Sequence, residues 1–178
     1  MGIPREPKAA KYFVALLSSD ADLVNSVEND LSRVFSEIDS RSVVLPWIVS
    51  TFYEKEMGAA LWRQFFSFAT VQSPGRLAEL KLQTQQIEDR YRSRRTYGRR
   101  VNLDPGYLDA FKVVLASTKN ASQRVYLQSG IYAEVTLLYH HGGFHRLEYT
   151  YADYVWPETI AFFTQLRARY LTQLRQLG

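Results

Sequence analysis

The sequence predicts an α+β fold: a single domain over residues 1–178 with a mainly antiparallel sheet, a ferredoxin-like βαββαβ N-terminal half and a C-terminal β-meander packed by a terminal helix. Three observations predict it. Strand-like apolar runs alternate with helix-periodic segments as far as Asp104; three short strand-like runs follow, joined by glycine-bearing turns; and a helical stripe opened by Pro157 closes the chain. With 46% hydrophobic and 22% charged residues, 178 residues are enough to bury a core without metal or disulfide staples.

Tyr12 to Leu17 is a continuous apolar run, as a strand buried on both faces requires. Asp20 is an N-cap for a helix from about Ala21 to Ser36, in which Leu23, Val27, Leu31, Val34 and Phe35 share a face. Ser42 to Val49 is β-branched and aromatic, and Pro46 within it places that strand at an edge. Trp62 to Val71 predicts a further strand. Ser73-Pro74 opens a helix whose buried stripe is Leu77, Leu80, Thr84, Ile87 and Tyr91. Val101 to Asp104 reads as a short fourth strand, and Asp104-Pro105-Gly106 as the capped start of a helix running to about Ser117. Arg124 to Leu127, Ile131 to His140 and Phe144 to Tyr151 form the meander. Alternation in its middle strand sets Ile131, Ala133, Val135, Leu137 and Tyr139 on one face and Tyr132, Glu134, Thr136 and Leu138 on the other. The final helix presents Ile160, Phe163, Leu166, Tyr170, Leu171 and Leu174.

Composition excludes several classes of function. Without cysteine there is no disulfide framework, thiolate metal site or cysteine nucleophile. The apolar run after Lys8 and Lys11 is too short for a signal peptide, Glu6 stands where a myristoylation signal needs Ser or Thr, and no segment has bilayer-spanning length, so a cytoplasmic protein without membrane contact is expected. The net charge is +4, but six arginines without an acid lie between Arg90 and Arg100, which leaves the remainder at −2. Basicity is therefore one local patch, with Tyr91 and Tyr97 interleaved as in surfaces that hold single-stranded nucleic acid. Arginines at a helix C-terminus also complement the helix dipole, and Arg90 to Arg95 fit that role better.

Several motifs carry a resemblance: Tyr53-Glu54-Lys55-Glu56-Met57-Gly58, Arg100-Val101-Asn102-Leu103-Asp104-Pro105-Gly106-Tyr107-Leu108, Val114-Leu115-Ala116-Ser117-Thr118-Lys119 and Gly130-Ile131-Tyr132-Ala133-Glu134-Val135-Thr136-Leu137. In this order they resemble the prokaryotic family called domain of unknown function 4416, over nearly the whole chain. Members are sometimes described as GTP-binding proteins. This chain has no G-x-x-x-x-G-K-[ST] loop, and its Lys119-Asn120 reverses the order used for guanine recognition, so a nucleotide would bind in another way.

Arg99 and Arg100 lead into the family's Asn-Leu-Asp-Pro-Gly-Tyr motif and are the stronger basic candidates. Asp104 caps the predicted helix, or joins Glu134 in holding a magnesium ion against ligand phosphates. Glu134 lies in an apolar and aromatic strand, where an unpaired carboxylate is costly. Lys119 or Arg124 either neutralises it or shares a polar concavity with it, and strand pairing would bring Tyr126 near as well. Tyr53, Glu54 and Glu56 are secondary candidates, because alternation with Lys55 sets both carboxylates on one side of an extended chain. The same alternation protects an exposed edge strand. His140, His141 and His145 flank a Gly-Gly turn and read as a solvated hairpin tip. Tyr149, Tyr151, Tyr154 and Trp156 read as packing for the last helix. Together these readings predict a pocket of Arg99, Arg100, Asp104, Lys119, Arg124, Tyr126 and Glu134 for a small anionic, phosphorylated or nucleotide-like ligand, with magnesium as the one cofactor to test. The alternatives are a non-enzymatic interaction or self-association module, and RNA binding through Arg90 to Arg100. Whether the chain is an enzyme stays open at this level.

Overall fold

The computed structural model describes residues 2–177, and all its strands belong to one nine-stranded sheet. β1 (Ala10–Ser18) is buried throughout, because both faces of the sheet are covered along it. Tyr12, Val14 and Leu16 face one apolar layer; Phe13 and Ala15 face the other. Asp20 caps the turn Ala21–Leu23, its carboxylate accepting from the Asp22 amide at 3.1 Å, and α1 (Val24–Phe35) follows. β2 (Ile38–Arg41) and β3 (Leu45–Pro46) both pair with β4 (Trp62–Gln72). The strand expected over Ser42 to Val49 is thus only the two-residue β3, and the main edge strand precedes it. Pro46 does sit at an edge. α2 (Glu54–Met57) is a single turn, and α3 (Leu77–Arg90) leads to β5 (Val101–Leu108).

The order β2-β4-β1-β5, antiparallel throughout, is the ferredoxin-like arrangement, with α1 and α3 on one face. Beyond β5 the prediction of a helix to Ser117 is wrong. β5 continues to Leu108, turns at Asp109, and returns as β6 (Lys112–Ser117). Asp109, not Asp104, caps that turn, accepting from the amides of Phe111 at 2.7 Å and Lys112 at 2.9 Å. Strand pairing overrides the Asp-Pro-Gly helix signal, because Pro105 costs no ladder bond here. The Leu103 amide points away from β1, so by alternation the nitrogen of Pro105 does too, at a place where pairing with β6 has not begun.

β7 (Val125–Gln128), β8 (Ile131–His140) and β9 (Gly143–Arg146) form the meander, with β8 paired to β6 on its other side. An irregularity in the β6–β8 register at Thr136 breaks the simple alternation. Ile131, Ala133 and Val135 pack towards α1 and α3, whereas Leu137 and Tyr139 pack on the opposite side. That side is covered by α4 (Pro157–Leu177) through Phe162, Phe163, Leu166 and Tyr170. His140 and His145 stack with centroids 3.8 Å apart at the exposed β8–β9 tip. Among the described residues no helix is long and apolar enough to cross a membrane.

Candidate functional site

α4 covers only part of its face of the sheet. At the other end Met57 and Leu61 pack on Leu17 beside Trp47 and Tyr53, and a cavity of ≈ 440 Å³ lies between the two covers. Register sets its floor. Leu17 of β1 stands between Arg63 of β4 and Asn102 of β5; one step along, Ala15 stands beside Asp104; Glu134 of β8 stands opposite Leu115 of β6. All of these side chains share one face, since partners across an antiparallel ladder point the same way.

The cavity extends through the sheet because β5 and β6 pair only from Gly106 onwards. Ahead of that point α3 supplies what a neighbouring strand would have supplied. Lys81 donates to the Leu103 carbonyl at 3.0 Å and to Asp104 at 3.1 Å, and Glu88 accepts from the Leu103 amide at 2.5 Å. These two residues lie two helical turns apart on the same face. Burial pushes the Glu88 carboxyl up to about 7, although Lys81 and Arg99 favour its charged form. Burial also works to raise Asp104, but Lys81 and Arg63 outweigh it and hold that carboxyl below its ordinary range.

On the β4 side Arg63 is 5% exposed and lies under Trp47, its guanidinium carbon 5.0 Å from the ring centre. Asp153, in the turn Ala152–Tyr154, approaches it at 3.0 Å. That contact is not aligned as a hydrogen bond: Arg63 Nε and Nη1, Asp153 Oδ2 and the Tyr154 hydroxyl are all buried without a hydrogen-bond partner. Burial raises the Asp153 carboxyl against the pull of Arg63. On the β8 side Arg124 meets Glu134 at 3.1 Å, donates to the Lys119 carbonyl at 2.8 Å and to the Tyr151 hydroxyl at 2.6 Å. Lys119 lies 5.6 Å from the Phe52 ring centre, across the mouth.

Of the residues predicted for a site, Arg99, Asp104, Lys119, Arg124 and Glu134 line this one cavity, as does Tyr53. Arg99 grips Glu56 through two bonds of 2.8 Å and lies 5.9 Å from the Tyr53 ring centre, so Glu56 braces the wall from outside. The shared carboxylate side expected for Glu54 and Glu56 does not exist, because α2 turns the two apart and Glu54 is exposed. Arg100 does not reach the cavity either; it pairs with Asp20. Tyr126, 57% exposed, packs edge-on to Tyr132, since Arg124 and not Tyr126 falls beside Glu134. Tyr154 packs the core as expected of the aromatic stretch and also reaches the cavity, which Tyr151 lines as well.

Sequence reasoning missed Arg63, Lys81, Glu88 and Asp153. The signal was present for three of them: Arg63 is the one charged residue in a strand rich in aromatic side chains, and Lys81 and Glu88 fall inside the buried stripe of α3. Among the described residues no group of three or more His, Cys, Asp or Glu side chains is placed to hold a metal. No curated protein and no solved structure matches the chain. A family model described as a domain of unknown function (DUF4416) matches residues 8–170, and the chain belongs to that family.

Proposed function

We propose that the cavity binds a small organic anion, phosphorylated or carboxylated, with Arg63 taking the charged group and Lys119 and Arg124 assisting. The observation that carries this reading is Arg63 itself, a buried guanidinium whose Nη1 lacks any hydrogen-bond partner and whose Nε meets only the Asp153 carboxylate, at 3.0 Å and out of line. Leaving such donors unsatisfied costs several kcal/mol unless water or a ligand meets them, and a planar guanidinium suits phosphate or carboxylate oxygens. The lining carries five cations and four carboxylates. Lys119 has no carboxylate partner among the described residues. The cavity's volume of ≈ 440 Å³ lies within the range of about 300–1,000 Å³ usual for small-molecule sites. Trp47, Phe52, Tyr53 and Tyr151 offer apolar walls for the rest of the ligand. Magnesium has no part in this reading, because Asp104 and Glu134 already face Lys81 and Arg124.

A thermal-shift panel of nucleotides including GTP, sugar phosphates and acidic metabolites, with and without magnesium, tests it. A ligand at a hundred times its Kd adds about 2.7 kcal/mol to stability, which raises Tm by several degrees. Arg63→Lys, which keeps the charge against Asp153 but loses the fork, and Lys119→Ala should each cut the shift. No response to any anion at millimolar concentration, or a response that both variants retain, ends the proposal.

A second reading, self-association, is supported by β7, an open edge strand on which Val125 is 69% and Tyr126 57% exposed. RNA binding has less support. Arg90 and Arg92 are paired with Asp30 and Asp89, which leaves Arg94 and Arg95 as the arginines of the patch without an acidic partner among the described residues.

A further inference from the structure

Glu88 is not needed to hold an anion, yet it reaches the same cavity. Its carboxylate is fixed at one end only: Oε1 accepts from the Leu103 amide, while Oε2 has no hydrogen bond and only the distant Arg99 at 4.0 Å. The residue is 6% exposed, and beyond its bond to Leu103 it lines the cavity. The charged groups facing it are Lys81 from α3, Asp104 from β5, and Arg99 from the segment before β5, which is itself held by Glu56 of α2. β6 presents only Leu115, Ala116 and Ser117 to this space, none of them ionisable. Lys81 is already committed to Asp104 and Arg99 to Glu56. An ionised Glu88 and a bound anion would therefore be two buried charges of the same sign, with neither Lys81 nor Arg99 free to stand between them, which is unfavourable at short range in a poorly solvated site.

We propose that Glu88 enters the complex as a neutral carboxylic acid, taking a proton from solvent and offering its hydroxyl through Oε2 to the anion, so that the cavity binds anion and proton together. This deepens the anion-binding reading and rests on it. Burial already pushes the Glu88 carboxyl up to about 7, so a second negative charge need only complete the shift. It also selects ligands, because a protonated carboxyl rewards an oxygen that can accept and penalises one that must donate.

Sulfate is the probe, since it mimics phosphate but does not titrate near neutrality. Calorimetric titration at pH 7.5 in two buffers of different ionisation enthalpy reads the protons taken up per sulfate. The expected result is uptake of roughly half a proton or more, with Kd rising about tenfold between pH 6.5 and pH 8.5. Glu88→Gln, which keeps the acceptor for Leu103, should bind sulfate with no proton uptake and a flat pH profile. The wild-type proton count stands as a test even where the variant fails to fold. Equal heats in both buffers overturn the inference while leaving anion binding intact. Uptake that persists in Glu88→Gln overturns it too and moves the proton to another group, Asp153 first. Phosphate binding without sulfate binding would also overturn it, by placing the proton on the ligand and leaving Glu88 as its acceptor. If neither ion binds, the anion reading falls and this inference with it.

Discussion

Gly106 shows how tightly single positions are specified around the cavity. A Cβ there would lie 2.5 Å from the Val114 carbonyl and 2.6 Å from the Phe13 ring, both buried and neither free to move. Gly106→Ala is expected to cost about 3 kcal/mol through overpacking, visible as a lower midpoint in denaturant unfolding. The conformation of Gly106 is not the reason; the space is. Lys119 is the opposite case, an exposed side chain outside any core. Lys119→Ala should leave stability within about 0.5 kcal/mol of wild type while weakening anion binding, so the two measurements separate fold from site.

At the scale of elements, α3 is both scaffold and wall. Its apolar stripe packs on β5 while Lys81 and Glu88 stand in for the strand missing beside Leu103. Glu88 carries a stability cost with a definite sign. Its folded pKa of about 7 lies above the ordinary 4.5, so between those values the folded state binds more protons than the unfolded chain. Stability from this group is whole below about pH 4.5 and is lost as pH rises through about 7, the loss amounting to roughly 3 kcal/mol. Glu88→Gln should therefore be more stable than wild type at pH 8 and nearly equal to it at pH 4.5, as read by Tm against pH. A lower Tm at pH 8 would mean that the ionised carboxylate is a net stabiliser. A charge that weakens the fold where it stands is commonly retained for function, which agrees with the role proposed for it.

For the whole molecule, the sheet closes neither edge, and β7 is the more apolar of the two. If β7 pairs with a second copy, sedimentation should show a concentration-dependent dimer that Tyr126→Lys abolishes; a monomer at every concentration rejects that reading. How much of this molecule was legible in advance follows from how local each signal was. β1, α1, α3 and α4 were readable from periodicity and caps, because neighbouring residues alone decide which face is apolar. The segment after Asp104 was misread, because its helix-start residues lie in a strand held by β1, far away in sequence. The alternation of β8 was misread past Thr136, because a register break shows only against a partner strand. Asp104, Lys119, Arg124 and Glu134 could be picked out as charges out of place, whereas Arg63 and Asp153 needed the sheet register and a distant turn to meet. What the chain by itself determined was the fold class, the places of α1, α3 and α4, and the residue types that cannot be buried alone. Only the tertiary structure decided where those charges converge, since the gap between β5 and β6 arises from strand pairings across the chain that no local pattern encodes.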